Sequence, residues 1–138
     1  MALVKLNNRG VRSATTFGSI SGLGEMRFIK KLTASASSTL DFVDGTSDVV
    51  LDDTYKEYLF TFKNIHPSAS SKLSVNFSID AGSNYNVTKT TTLFNVQHDE
   101  ADSYCSGYFN TTSAIDEIQF KFNSGNIDAG DICLYGIN

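Results

Sequence analysis

The chain predicts an all-β fold, an antiparallel β-sandwich or jelly roll carrying an extended N-terminal arm, and three observations lead there. Apolar residues recur at every second position in short runs, the pattern of strands with one face buried. Those runs are separated at fairly even spacing by Gly, Ser, Asn and Asp, the residues that turns demand. Ten Phe and six Tyr accompany many Val, Ile and Thr, with one Pro and no Trp, a composition enriched in strand formers. No stretch shows a helical period over three turns, and no repeat of fixed length occurs.

Residues 1–24 open with a brief alternation at Leu3, Val4 and Leu6 and pass into NNRGVRSATTFGSISGLG. With Gly10, Gly18, Gly22 and Gly24 among Ser and Thr, this segment has no sustained period and reads as an arm. Leu3, Val4, Leu6, Val11, Phe17, Ile20 and Leu23 are too many apolar groups for a purely solvated linker, so docking is expected. Residues 25–138 then form the β-domain. RFIKKL, from Arg27 to Leu32, is the first expected strand, and Leu40 and Phe42 mark a short second one before a turn at Asp44-Gly45. KEYLFTFKNI places Tyr58, Phe60 and Phe62 on an inward face and ends at His66-Pro67, since Pro donates nothing to a ladder.

Leu73, Val75, Phe77 and Ile79 alternate with Ser74, Asn76 and Ser78. The turn residues Ala81-Gly82-Ser83-Asn84 and a second alternation at Leu93 and Val96 follow, so the two runs are expected to pair as a long hairpin. His98-Asp99-Glu100-Ala101-Asp102 reads as an acidic loop. Ile118, Phe120 and Phe122 alternate with Gln119 and Lys121, Ser124-Gly125-Asn126 makes a turn, and DICLYGI puts Ile132 and Leu134 on one face with Cys133, Tyr135 and Ile137 on the other.

At 138 residues one domain buries roughly two-thirds of its unfolded surface, enough for a core without metal or disulfide staples. No run approaches the ~20 apolar residues of a membrane helix, and MALVKLNNRG lacks a signal-peptide core; membrane insertion is not expected, and synthesis in a cytosol is. In that reducing compartment Cys105 and Cys133, which have no metal or redox spacing, are expected as free thiols. The net charge of −4 is unevenly spread: Lys5, Arg9 and Arg12 give the arm +3 with no acid, leaving −7 on residues 25–138. That segregation fits either an ordinary polar tail or a basic arm that docks on an acidic neighbour.

Candidate chemistry is sparse. His98-Asp99-Glu100 has only His66 as a second imidazole and lacks the spacing of a zinc site or a catalytic dyad, so the chain reads as a non-enzyme without a cofactor. Aspartates 41, 44, 48, 52, 53, 99, 102, 128 and 131 are oxygen donors suited to Ca²⁺, and equally the ordinary residues of β-turns. Asn76, Asn86 and Asn110 match the glycosylation acceptor pattern, which has no meaning without secretion. Tyr85, Tyr104 and Tyr108 lie near Asn and Asp and fit either sugar stacking or an intersubunit surface. An acidic domain is unsuited to a nucleic-acid backbone.

MALVKLNNRGVRS, FIKKLTASASSTLDFVDG, SDVVLDDTYKEYLFTFKNIHP, DAGSNYNVTKTTT with the nearby HDEAD, and FNTTSAIDEIQFKFNSGNIDAGDICLYGI together resemble structural proteins of tailed bacteriophages infecting marine bacteria. The similarity touches nearly the whole chain. It departs from the group between residues 102 and 106, where many members carry a longer insertion. The resemblance implies a virion component (a tail fibre, an adaptor or a capsid decoration) assembled in the host cytoplasm with other virion proteins. It carries no catalytic motif. On that reading Lys5, Arg9 and Arg12 dock on the particle, and the loops around Tyr85, His98 and Tyr104 face outward or towards another copy of a homo-oligomer, a trimer as first guess. The alternative is a carbohydrate-binding module that recognises host surface glycan through Tyr85, Tyr104 and Tyr108.

Overall fold

Among the described residues there are eight strands, seven at runs of alternation read from the sequence and one, β6, that was not: β1 (Met26–Ser37), β2 (Leu40–Val43), β3 (Glu57–Pro67), β4 (Leu73–Ser78), β5 (Lys89–His98), β6 (Glu100–Phe109), β7 (Glu117–Phe122) and β8 (Ile127–Ile137). This computed structural model describes residues 26–98 and 100–138, and the side chains of all of these except 92–105. The expected arm, with Lys5, Arg9 and Arg12, lies outside the described residues. Every strand pairing is antiparallel, and no helix occurs among the described residues.

Two three-stranded sheets have the orders β1-β8-β3 and β2-β7-β4, and β5 pairs with β6. The chain passes from one three-stranded sheet to the other at each of its first three connections and again between β7 and β8. Among the described residues, β5 and β6 are therefore the only consecutive strands that pair.

The core forms where the inward rows of the two three-stranded sheets meet. Directly opposed residues of antiparallel strands share a face, so Leu40 and Val75, both opposite Phe120, point inward with it. From the other sheet come Ile132 and Leu134 with their partners Phe62 and Phe60. Phe42, Ile127, Ile132 and Leu134 are fully buried. Edge-on or tilted rings join the sheets: Phe60 lies 5.3 Å from Phe42 and 5.2 Å from Phe120, and Phe62 lies 5.3 Å from Phe120, separations at which aromatic pairs add to simple burial. Phe62 has this contact at the margin and is half exposed, so the inward face of β3 is weaker at its far end than its pattern promises.

Turn chemistry follows the sequence where it is local. Gly45 takes a φ of +71° and Thr46 N–H closes the Asp44-Gly45 turn on the Val43 carbonyl at 3.1 Å. Beyond it Val49 and Leu51 enter the core without belonging to a strand, because Asp44 Oδ1 accepts the Leu51 N–H at 2.8 Å and fixes the loop. At the opposite end β3 is irregular between Lys63 and His66, with Asn64 at a φ of +51°. β8 answers with Gly130 at +117°, where a Cβ would stand 2.5 Å from the Asn64 carbonyl oxygen. Only glycine fits that approach.

The expected hairpin between 73–79 and 93–96 does not form. β4 pairs with β7 across Leu73↔Phe122 and Ser78↔Glu117, and β5 pairs with β6 across Leu93↔Cys105. The loop 79–88 takes the chain away from β4 because its own hydrogen bonds are satisfied locally. Ser78, fully buried, accepts the N–H groups of Asp80 (3.1 Å) and Gly82 (2.9 Å) on its hydroxyl oxygen and donates to Asp80 Oδ1 at 2.7 Å. Asp80 also accepts from the Asn84 backbone and side chain, both at 2.8 Å. The expected acidic loop is in fact the end of the β5–β6 hairpin, where His98 stands opposite Glu100.

Candidate functional site

A cleft of about 360 Å³ opens where β4, an edge strand of its sheet, meets the base of the β5–β6 hairpin. β4 contributes Val75 and Phe77, placed on one face by the strand period; β5 contributes Lys89 and β6 contributes Tyr108 and Phe109. Phe77 and Phe109 meet at a centroid distance of 4.3 Å and 60° between planes, which seats the hairpin against the sheet. Lys89 stands opposite Phe109 in the register, with its ammonium 5.7 Å from the Phe77 centroid, and it donates to the Val75 carbonyl oxygen. A lysine on an edge carbonyl also blocks further strand addition there.

Tyr108 lies at the mouth, 64% exposed, and presents an uncovered ring face. Ser74, Thr91, Ser106 and Gly107 complete the lining, with the Ser74 hydroxyl donated to Asn123 Oδ1. The cleft thus offers aromatic faces, a cation and neutral hydroxyls, and no carboxylate or imidazole. Such a surface can stack on and hydrogen-bond a ligand, while its lining supplies no general base for the chemistry of a bound group.

A second cluster lies on the outer face of β2-β7-β4. Glu117 is only 4% exposed. Tyr85, carried by the loop 79–88, donates its hydroxyl to Glu117 Oε1. Burial is the main cause that pushes the Tyr85 phenol well above its ordinary value, followed by the bond to Glu117 and the charge of Asp41, so it stays protonated at any physiological pH. Gly82, at a φ of +77°, lies so close over the carboxylate that a Cβ there would stand 2.1 Å from Glu117 Oε2. Asn76 and Gln119 join across the same face at 3.2 Å, and Asp116 accepts the Ala81 N–H at 2.9 Å. The bonds of Tyr85 and Ala81 pin the loop to the sheet.

The residues singled out from sequence are therefore dispersed. Tyr108 is exposed at the cleft mouth, whereas Tyr85 is half-buried with its hydroxyl turned onto Glu117. The side chains of His98 and Tyr104, and the arm residues Lys5, Arg9 and Arg12, lie outside those described. The aspartates serve separate turns and strands. Asp52 accepts from Thr54 N–H at 2.8 Å, and its carboxyl is held below the ordinary value by the Thr54 hydroxyl first and this backbone bond second. Asp131 accepts from Thr33 at 2.6 Å and Asp128 lies 3.8 Å from His66. No group of three His, Cys, Asp or Glu able to hold a metal occurs among the described residues. Sequence reading missed Phe77, Lys89 and Phe109 as one site, because only the β4–β7 pairing and the hairpin base bring them together.

Compared with protein-family models, curated proteins and solved structures, the chain matches none of them.

Proposed function

We propose that the chain is a non-catalytic structural subunit of a tailed-phage particle, an antiparallel β-sandwich attached to other virion proteins through its basic N-terminal arm. The observation that carries this reading is the two-stranded β5–β6 unit, with ten-residue strands that pair with neither three-stranded sheet. A lone two-stranded ribbon is marginal in water, and its open edges invite a neighbour; a subunit completed by assembly meets both needs. The sequence resemblance supports a particle as the setting, and a homo-oligomer accords with the symmetry of such assemblies. Deleting residues 1–24 tests attachment: the truncated chain folds but is not incorporated into particles. Normal incorporation would refute it.

A second reading has a specific observation in its favour. The cleft beside Tyr108 combines ring faces with hydroxyls and a lysine, the surface of a sugar-binding site. A host-glycan array probed with the full chain decides it, since a purely structural subunit shows no saturable binding.

A further inference from the structure

The outer face of the β1-β8-β3 sheet is apolar at one end. In the register Met26, Ile137 and Glu57 form one row, Phe28, Tyr135 and Leu59 the next, and Lys31, Cys133 and Thr61 the third, all on the face opposite Ile132 and Leu134. Met26 and Phe28 are each 55% exposed and Leu59 39%, and Phe28 rests edge-on against Tyr135 at 5.6 Å. Further along, the face turns polar: Thr33 donates to Asp131, and Lys31 lies 3.6 Å from the same carboxylate. The apolar rows are bounded by that polar rim on one side and by the start of β1 on the other.

The start of β1 is where the preceding segment arrives. Phe17, Ile20 and Leu23 lie within nine residues of Met26, a reach of roughly 30 Å at about 3.3 Å per residue. The three rows span only about 13 Å along β8 and about 10 Å across the three strands. A segment tethered at the edge of the patch competes at millimolar effective concentration, far above that of a second copy in dilute solution. We propose that residues 17–25 of the same chain fold back over this face and cover Phe28, Leu59 and Tyr135 with Phe17, Ile20 and Leu23. Lys5, Arg9 and Arg12 precede the covering segment and stay free for another partner.

Cys133 lies in the third row and reports on the cover. In the full chain carrying Cys105→Ser, its maleimide reaction rate is measured against the same chain with Phe17→Ser, Ile20→Ser and Leu23→Ser. The expected result is a rise of about ten-fold on substitution, with a parent rate that does not change with protein concentration. Equal rates overturn the proposal, and protection that disappears on dilution overturns it in favour of a second copy. Should the triple variant not fold, Ile20→Cys and Leu23→Cys in the Cys105→Ser chain decide: at least one forms a disulfide with Cys133 within a monomer. Disulfides only between chains, or none, refute it.

Discussion

Replacing Tyr85 by Phe removes one hydroxyl and keeps the ring, so the change falls on the bond to Glu117. Glu117 is 4% exposed, and a carboxylate that loses its donor in such a place retains its desolvation cost. That cost is about 1–3 kcal/mol, which lowers the melting midpoint of a domain of this size by roughly 3–15 °C. The loop 79–88 keeps its bonds through Ser78 and Asp80, so the loss is confined to the carboxylate. Chemical denaturation of wild type, Tyr85→Phe, Glu117→Gln and the double variant gives the coupling by a thermodynamic cycle. The single Tyr85→Phe loss should shrink in the Glu117→Gln background. A single-variant change below about 0.5 kcal/mol, the ordinary size for surface substitutions, would refute the claim that this bond offsets the cost of burying Glu117.

Gly82→Ala should destabilise by about 1–3 kcal/mol, because Ala must hold a φ of +77° and displace Glu117 Oε2; equilibrium unfolding in urea measures it. Gly130→Ala should cost at least as much, since its Cβ would meet the Asn64 backbone oxygen at 2.5 Å, and backbone cannot rotate aside as a side chain does. Asp80 is held below its ordinary 3.8 by the Asn84 amide, then the Ser78 hydroxyl and the Asn84 backbone N–H. A folded-state value below the unfolded one stabilises the fold fully above the unfolded value, and this stabilisation is lost as pH falls through the folded one. Amide protection factors in residues 80–84, corrected for the intrinsic pH dependence of exchange, should therefore fall below pH 3.8, and Asp80→Asn should remove that acid dependence. If the cleft binds sugar, Tyr108→Ala should weaken binding by at least about ten-fold in calorimetry and leave the melting midpoint within a degree or two, since the ring is 64% exposed.

Strand identity was legible in the sequence for every strand except β6, whose first residues read as an acidic loop, and strand partnership was not. Period-two alternation at Ile118, Phe120, Phe122, Ile132 and Leu134 marks inward faces that the structure keeps, because each such side chain can be buried on only one side of a sheet. The turns at Asp44-Gly45 and Ser124-Gly125-Asn126 were legible for a related reason: Gly45 and Gly125 have positive φ values that glycine adopts freely. The hairpin expectation failed because alternation carries no address. Leu73, Val75 and Phe77 would suit many apolar partners, and the choice of β7 is supported by the bonds of Ser78, Asp80 and Tyr85 within and beyond the loop. Tyr85 and Tyr108 look alike in sequence and differ in the structure for the same reason, since only one faces a buried carboxylate. Glu117 left no signal of its burial, as an acid at the head of an amphipathic strand ordinarily faces water.

The central claim is that this chain is a built-in part of a particle, and imaging tests it most directly. Purified particles from cells that make the chain would be labelled with antibody raised against residues 26–138 and examined by electron microscopy. Label at a fixed place on the particle, on tail or head, is the predicted result; unlabelled particles with all of the chain left in the soluble lysate would contradict it.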